Sequence, residues 1–241
     1  MKKTLIPVLA AMLSSLVILG GCNTTPAGSE SGQSSSTASV SSQEASAPQS
    51  EDTVDSQPES AADTKSTPTR GIWEDDTYTN DYAHITFTMP DGWVYANDDE
   101  IAALMNVGAE MLRDSGLNFS DKLLELQTIY DMMAQDKSTG SNVIILFENM
   151  NMLVGGSQYT EDDYLDALKT QLTTADVYDY KFGEPMDATI SGETYRCIEA
   201  EAADIGATQY YYVRRNGNYM IGMIISLFGG TEIDDITSNF S

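Results

Sequence analysis

The chain has 241 residues and a formal net charge of −25, with 41% hydrophobic residues. Acidity on this scale excludes nucleic acid as a partner, whose phosphates would be repelled, and electrostatic docking on an anionic leaflet. It suits a soluble surface, with a basic partner or loosely held divalent cations as sharper readings.

The first stretch is Lys2 and Lys3 followed by Leu5 to Leu19, apolar except for Pro7, Ser14 and Ser15. That is the basic and apolar layout of an export signal. It falls short of the ~20 residues of a membrane span, and Pro7 spoils the first helical turns. Leu19-Gly20-Gly21-Cys22 then resembles a bacterial lipobox. The resemblance implies that residues 1–21 are a signal peptide cut before Cys22. It also implies that Cys22 carries a thioether-linked diacylglyceryl group, with a further acyl chain such as palmitate on its amine. One acyl chain holds a protein only marginally, whereas two or three make a stable anchor. Cys22 is therefore the expected lipid-attachment residue, and the extracytoplasmic face of the cell membrane the expected address.

Residues 22–70 form the expected tether. After Cys22 this stretch is Ser, Thr, Ala, Gln, Glu, Asp and Pro, with two valines and no Leu, Ile, Met or aromatic residue. Such a composition cannot build a core and is expected to be disordered. As a flexible coil it would span about 40 Å.

The folded part is expected over 71–241, where 30 acidic and 8 basic residues give a net −22. A chain of this length buries roughly 70% of its unfolded surface. Tyr78 and Tyr82 flank a turn at Asn80-Asp81. His84 to Thr88 alternates as a strand, with Ile85 and Phe87 on one face and His84 on the other. Pro90 and Gly92 end it, and Trp93 folds back on the core. Asp98 is the expected cap of a helix reaching Arg113 through Ile101, Leu104, Met105, Met111 and Leu112. Ser120 is the expected cap of a second helix, running to Lys137, with Leu123, Leu124, Leu126, Ile129, Tyr130 and Met133 inward.

Val143 to Phe147 is a β-branched-rich apolar run, read as a buried strand. Thr160-Glu161-Asp162-Asp163 is close to a capping box and opens a helix to Thr173, with Tyr164, Leu165, Leu168 and Leu172 inward. A meander follows. Strands are expected at 177–182, 186–190, 194–202, 207–215 and 219–228, with hairpin turns at Ser191-Gly192 and Asn216-Gly217. The segment 219–228 is the most apolar and is expected at the centre of the sheet. Ile233, Ile236 and Phe240 mark a last helix. Helices segregated from a late antiparallel meander indicate an α+β domain, an antiparallel β-sheet flanked by helices.

Tyr78 through Trp93 (Tyr-x-Asn-x-Tyr, an apolar strand, then Met-Pro-x-Gly-Trp) resembles the opening of the PsbP/Mog1/DcrB-like superfamily. Gln209 to Val213, the Asn-Gly turn, the 219–228 strand and the closing helix resemble its end. Residues 98–137 look longer than the minimal family pattern. The resemblance implies an α/β/α sandwich around an antiparallel sheet, and a role in binding or assembly rather than catalysis. It transfers no catalytic residue set. Similar domains on lipoproteins of Gram-positive bacteria make such an envelope the expected setting.

The residues themselves point the same way. His84 is the single histidine, and Cys197 is the single cysteine besides Cys22. His84 reads as a surface histidine, Cys197 as a buried inert thiol, and together they cannot build a zinc site of the usual kind. Asp98-Asp99-Glu100, Asp162-Asp163 and Asp234-Asp235 are explained as helix N-terminal charges. Asp75-Asp76 remains a bare acidic pair. Tyr210, Tyr211 and Tyr212 alternate faces, so at least one side is core. The expectation is thus an anchored module with no catalytic, cofactor or metal residues, binding an envelope protein or other envelope component. A ligand-binding lipoprotein of a transporter or sensor is the second reading. A cell-wall hydrolase is the third, for which no nucleophile–base pair stands out.

Overall fold

The computed structural model describes residues 67–241, so Cys22 and the signal lie outside the described residues. Two antiparallel sheets form the frame. A small sheet holds β1 (Ile72–Glu74), β2 (Thr77–Asn80) and β3 (Ile85–Thr88) in that order. The large sheet holds β4 (Trp93–Tyr95), β5 (Thr128–Asp136), β6 (Asn142–Asn149), β7 (Tyr180–Phe182), β8 (Met186–Ile190), β9 (Glu193–Ala202), β10 (Ala207–Asn216) and β11 (Tyr219–Leu227). Its order is β4-β5-β6-β11-β10-β9-β7, and β8 also pairs with β9. β7 and β8 lie end to end along β9, separated by Gly183-Glu184-Pro185. Proline is tolerated there because an edge needs no outward donor.

The centre of the sheet is where the apolar runs predict it. Every residue of β11 is buried, and it lies between β6 and β10. The connection from β10 is the two-residue turn Gly217-Asn218, with Gly217 at φ +57, the left-handed region that a Cβ disfavours. Ser191-Gly192 joins β8 to β9 in the same way.

Helix α1 is Asp98–Met105, followed by two single turns, α2 (Glu110–Arg113) and α3 (Asp121–Leu124). The cap of α1 is Asn97, one residue before the expected Asp98. Its side-chain amide oxygen accepts from the backbone N–H groups of Asp99 and Glu100, and the Glu100 carboxylate accepts from the Asn97 N–H. The helix stops well before Arg113 because Asn106 turns left-handed and caps its end.

The helix expected from Ser120 to Lys137 is not formed beyond α3. Its second half is β5, which pairs with β4 on one side and β6 on the other. The reason is burial. Ile129 through Gln135 are all buried, so both faces of the strand are apolar and no alternation marks it. A continuous apolar run of this kind does not distinguish helix from strand. Met132 and Met133 consequently point to opposite sides of the sheet rather than along one helical stripe.

Helix α4 (Glu161–Ala175) is capped as its sequence predicts, with Asp163 closing the box on Thr160. Tyr164, Leu165, Leu168 and Leu172 are its buried residues. It covers one face of the large sheet, where the Tyr164 hydroxyl donates to Glu148 of β6 and Asp162 pairs with Arg196 of β9. The other face carries the small sheet. Tyr82 packs edge-on to Phe147 of β6, and Arg214 of β10 donates to the carbonyl of Ala83. Helix α5 (Ile233–Thr237) closes the chain, with Ile236 buried and Phe240 against Phe87. The α+β expectation, an antiparallel sheet flanked by helices, therefore holds.

Candidate functional site

The site begins with a defect in β5. Tyr130 pairs with Leu146 and Met132 with Ile145, so Asp131 is an extra residue with no partner in the ladder. A bulge of this kind re-aims one side chain. Here it turns a carboxylate toward the start of the folded chain. Asp131 is only 8% exposed. Its Oδ2 accepts from Asn80 Nδ2 at 2.8 Å, from the Gly71 N–H at 2.9 Å and from the Tyr78 hydroxyl. Burial pushes the Asp131 carboxyl above its ordinary range, and these donors together with the Arg70 charge partly oppose the rise.

Around it lies a cleft of about 330 Å³, lined by Arg70, Gly71, Trp73, Tyr95, Ala96, Asn97, Asp98, Asp99, Ile101, Arg113 and Asp131. Trp73 of β1 and Tyr95 of β4 stack with ring centroids 4.5 Å apart, which joins the small sheet to the edge of the large one. Trp73 is wedged against Tyr78 and Phe87 as well, whereas Tyr95 is 45% exposed. Both arginines are engaged. Arg70 pairs with Asp98 at 2.5 Å and donates to the Leu112 carbonyl at 2.9 Å, and Arg113 pairs with Asp99.

Thr69 and Arg70, which the sequence assigns to the tether, are fixed here. Thr69 bridges to Asn118, its carbonyl accepts from Asn80 Nδ2, and the Arg70 N–H donates to Leu117. These residues just before β1 are therefore one wall of the cleft.

The sequence-predicted candidates lie elsewhere. His84 is exposed, at φ +53 in the turn before β3 rather than in the strand, with Nδ1 2.6 Å from Glu193 Oε1. Cys197 is fully buried in β9, and burial pushes its thiol up to about 12. A thiol so held is a poor nucleophile, and no contact joins it to His84 among the described residues. Tyr211 and Tyr212 are buried on opposite faces and Tyr210 is half-buried, which is ordinary sheet packing. The three acidic runs do lie in first helical turns. Among the described residues no three His, Cys, Asp or Glu side chains converge to hold a metal ion.

A second buried carboxylate faces α4. Glu148 accepts from the Tyr164 hydroxyl at 2.5 Å and from Gln127 Nε2 at 2.9 Å, and burial raises its pKa above the ordinary 4.5. A raised carboxyl binds its proton more tightly folded than unfolded. Its stabilising contribution is complete below the unfolded value and is lost as pH climbs through the folded value. Glu148→Gln removes this dependence. The difference in melting temperature, variant minus wild type, should therefore rise as pH climbs above the ordinary carboxylate range and level off once the folded value is passed. Thermal melts across this rise in pH check it, and a falling difference would contradict the assigned direction.

No protein-family model and no curated protein matches the chain. Among solved structures, the solution structure of cyanobacterial PsbP (CyanoP) from Synechocystis sp. PCC 6803 is similar over 76% of this chain and 98% of its own, at 12% identity and a TM-score of 0.40. It bears one of the family names that the Tyr78 to Trp93 stretch resembles. The architecture given for this chain rests on its own strand order and helix placement. None of its described helices is long and apolar enough to cross a membrane.

Proposed function

We propose that this protein is an extracytoplasmic lipoprotein, anchored through lipid on Cys22, whose folded domain binds a component of the cell envelope without acting on it chemically. The observation that carries the reading is the cleft beside β1, where an exposed aromatic face stands beside a buried carboxylate. Binding sites combine apolar or aromatic walls with a few fixed polar groups in this way. The export signal and the Leu-Gly-Gly-Cys stretch supply the address.

In-cell cross-linking of the lipidated protein, read by mass spectrometry against a Cys22→Ala control, tests both halves. A reproducible envelope component lost in the control supports an anchored binding module. Intact-mass measurement of the membrane-extracted protein should show the diacylglyceryl addition on Cys22. His84→Ala and Cys197→Ala are expected to leave partner capture unchanged, and loss of capture in a folded His84→Ala protein would count against a non-enzymatic role.

The cleft volume also favours the second reading, a small-ligand lipoprotein serving a transporter or sensor. Its mark is a melting temperature that rises with ligand concentration.

A further inference from the structure

The charges lining the cleft do not balance. Arg70 and Arg113 are spent on Asp98 and Asp99, which leaves Asp131 as a surplus negative charge. Its three donors, Tyr78, Asn80 and the Gly71 N–H, are all neutral. Hydrogen bonds from neutral groups satisfy its lone pairs but do not cancel its charge. Arg70 acts on Asp131 only through space, since its direct partner is Asp98. A buried carboxylate with no ion pair of its own is costly, and a cation brought to it recovers part of that cost. The aromatic wall narrows the kind of cation. The Tyr95 ring is backed by Trp73 on one face and 45% exposed, and a ring face attracts cations through its quadrupole. A bare metal ion would need several oxygen ligands at once, and the described carboxylates do not converge in that way. An anionic ligand meets a domain of net −22 from Gly71 onward.

We infer that the cleft accepts the ammonium group of a small organic ligand, with the Tyr95 ring supplying the face and Asp131 the counter-charge. This rests on the binding role proposed above and gives that site a ligand class. Amino sugars and quaternary-ammonium headgroups share the required chemistry.

The test uses the full-length chain in detergent and titration calorimetry with paired probes. Glucosamine is compared with N-acetylglucosamine, and choline with its uncharged isostere 3,3-dimethylbutan-1-ol. At least one charged probe should bind about tenfold or more tightly than its neutral partner. The preferred pair identifies the source, sugar or headgroup. Tyr95→Ala should weaken the favoured charged probe about fivefold or more and its neutral partner less, while Tyr95→Phe retains both; a merely structural Tyr95 would weaken the two alike. Asp131→Asn should abolish the preference for charge. If that variant does not fold, Asp98→Asn is the second test. It unpairs Arg70, a cation lining the same cleft, and should lower the charged-over-neutral ratio; an unchanged ratio would overturn the inference. Neutral probes binding within tenfold of the charged ones, or Tyr95→Ala binding like wild type, would overturn the inference. If no ammonium probe binds but cross-linking still captures an envelope component, the ligand class fails and the anchored binding role stands.

Discussion

Replacing Asp131 with alanine is expected to lower the unfolding free energy by about 3–5 kcal/mol. The carboxylate is the shared acceptor of three groups, the Tyr78 hydroxyl on β2, Asn80 Nδ2 at the end of the same strand and the Gly71 N–H just before β1. Alanine leaves the Tyr78 hydroxyl and the Gly71 N–H without an acceptor, and Asn80 Nδ2 with the Thr69 carbonyl for only one of its two hydrogens. Each orphaned buried donor costs about 1–3 kcal/mol, and water entering through the cleft reduces the total below the plain sum. Natural domains hold only about 5–15 kcal/mol in all, so the loss would show in urea melts as a large fall in midpoint at unchanged slope. Asp131→Asn should be milder, about 1–2 kcal/mol, because the amide oxygen still accepts while its NH₂ faces other donors. Gly71→Ala strikes the same junction from the other side. A Cβ there would lie 2.2 Å from the buried Tyr78 ring, so the segment around Gly71 should be displaced from Asp131. Faster proteolysis near Arg70 would report the displacement. A loss below about 1 kcal/mol for Asp131→Ala would mean that water already satisfies these donors.

The site was hidden in the sequence for a physical reason. Its walls come from Arg70, Trp73, Tyr95 and Asp131, which are brought together only by pairing β4 against β5 and by the stack of Trp73 on Tyr95. β4 is three residues long and carries no periodicity to read. Asp131 lies inside the segment that the apolar pattern reads as a helix, and it is not among that helix's expected inward residues. One signal was available. An aspartate in the middle of Ile129-Tyr130-Asp131-Met132-Met133 is an acid inside an apolar run, and a buried acid needs an explanation. By contrast, β6, α4 and the two tight hairpins were legible because local chemistry and burial agree there. Val143 to Phe147 is apolar on both faces, Thr160 and Asp163 cap reciprocally, and Gly192 and Gly217 take up positive φ. The first helix failed locally, since Asn106 and Gly108 interrupt an apolar pattern that otherwise continues to Leu112.

Phe147→Ala should cost about 3–5 kcal/mol, the range for emptying a buried aromatic site. The size of such a loss depends on how far the surroundings can collapse. Phe147 is fully buried in β6, with Ile129 of β5 and Ile221 of β11 directly across on its two sides. Both neighbours are fixed by ladder hydrogen bonds and cannot follow the lost ring. Above it, Tyr82 meets the ring edge-on at 5.4 Å, and its hydroxyl donates to the Asn216 carbonyl at 2.9 Å, which pins it from the far side. Phe119 completes the cover at 6.2 Å. The cavity should therefore stay open, and the loss should fall in the upper half of the range. Leu168→Ala on α4 provides the comparison, at about 2–3 kcal/mol, because Leu168, midway along the helix, is still 8% exposed and solvent can approach. Urea melts of both variants decide the ranking. If Phe147→Ala lost less than Leu168→Ala, Tyr82 and the small sheet would have to sink onto the large one. The Trp73–Tyr95 stack joins the two sheets at the cleft, so the same movement would then change ligand affinity. A stability defect confined to the core, with the cleft's affinity unchanged, is the outcome that the pinned Tyr82 predicts.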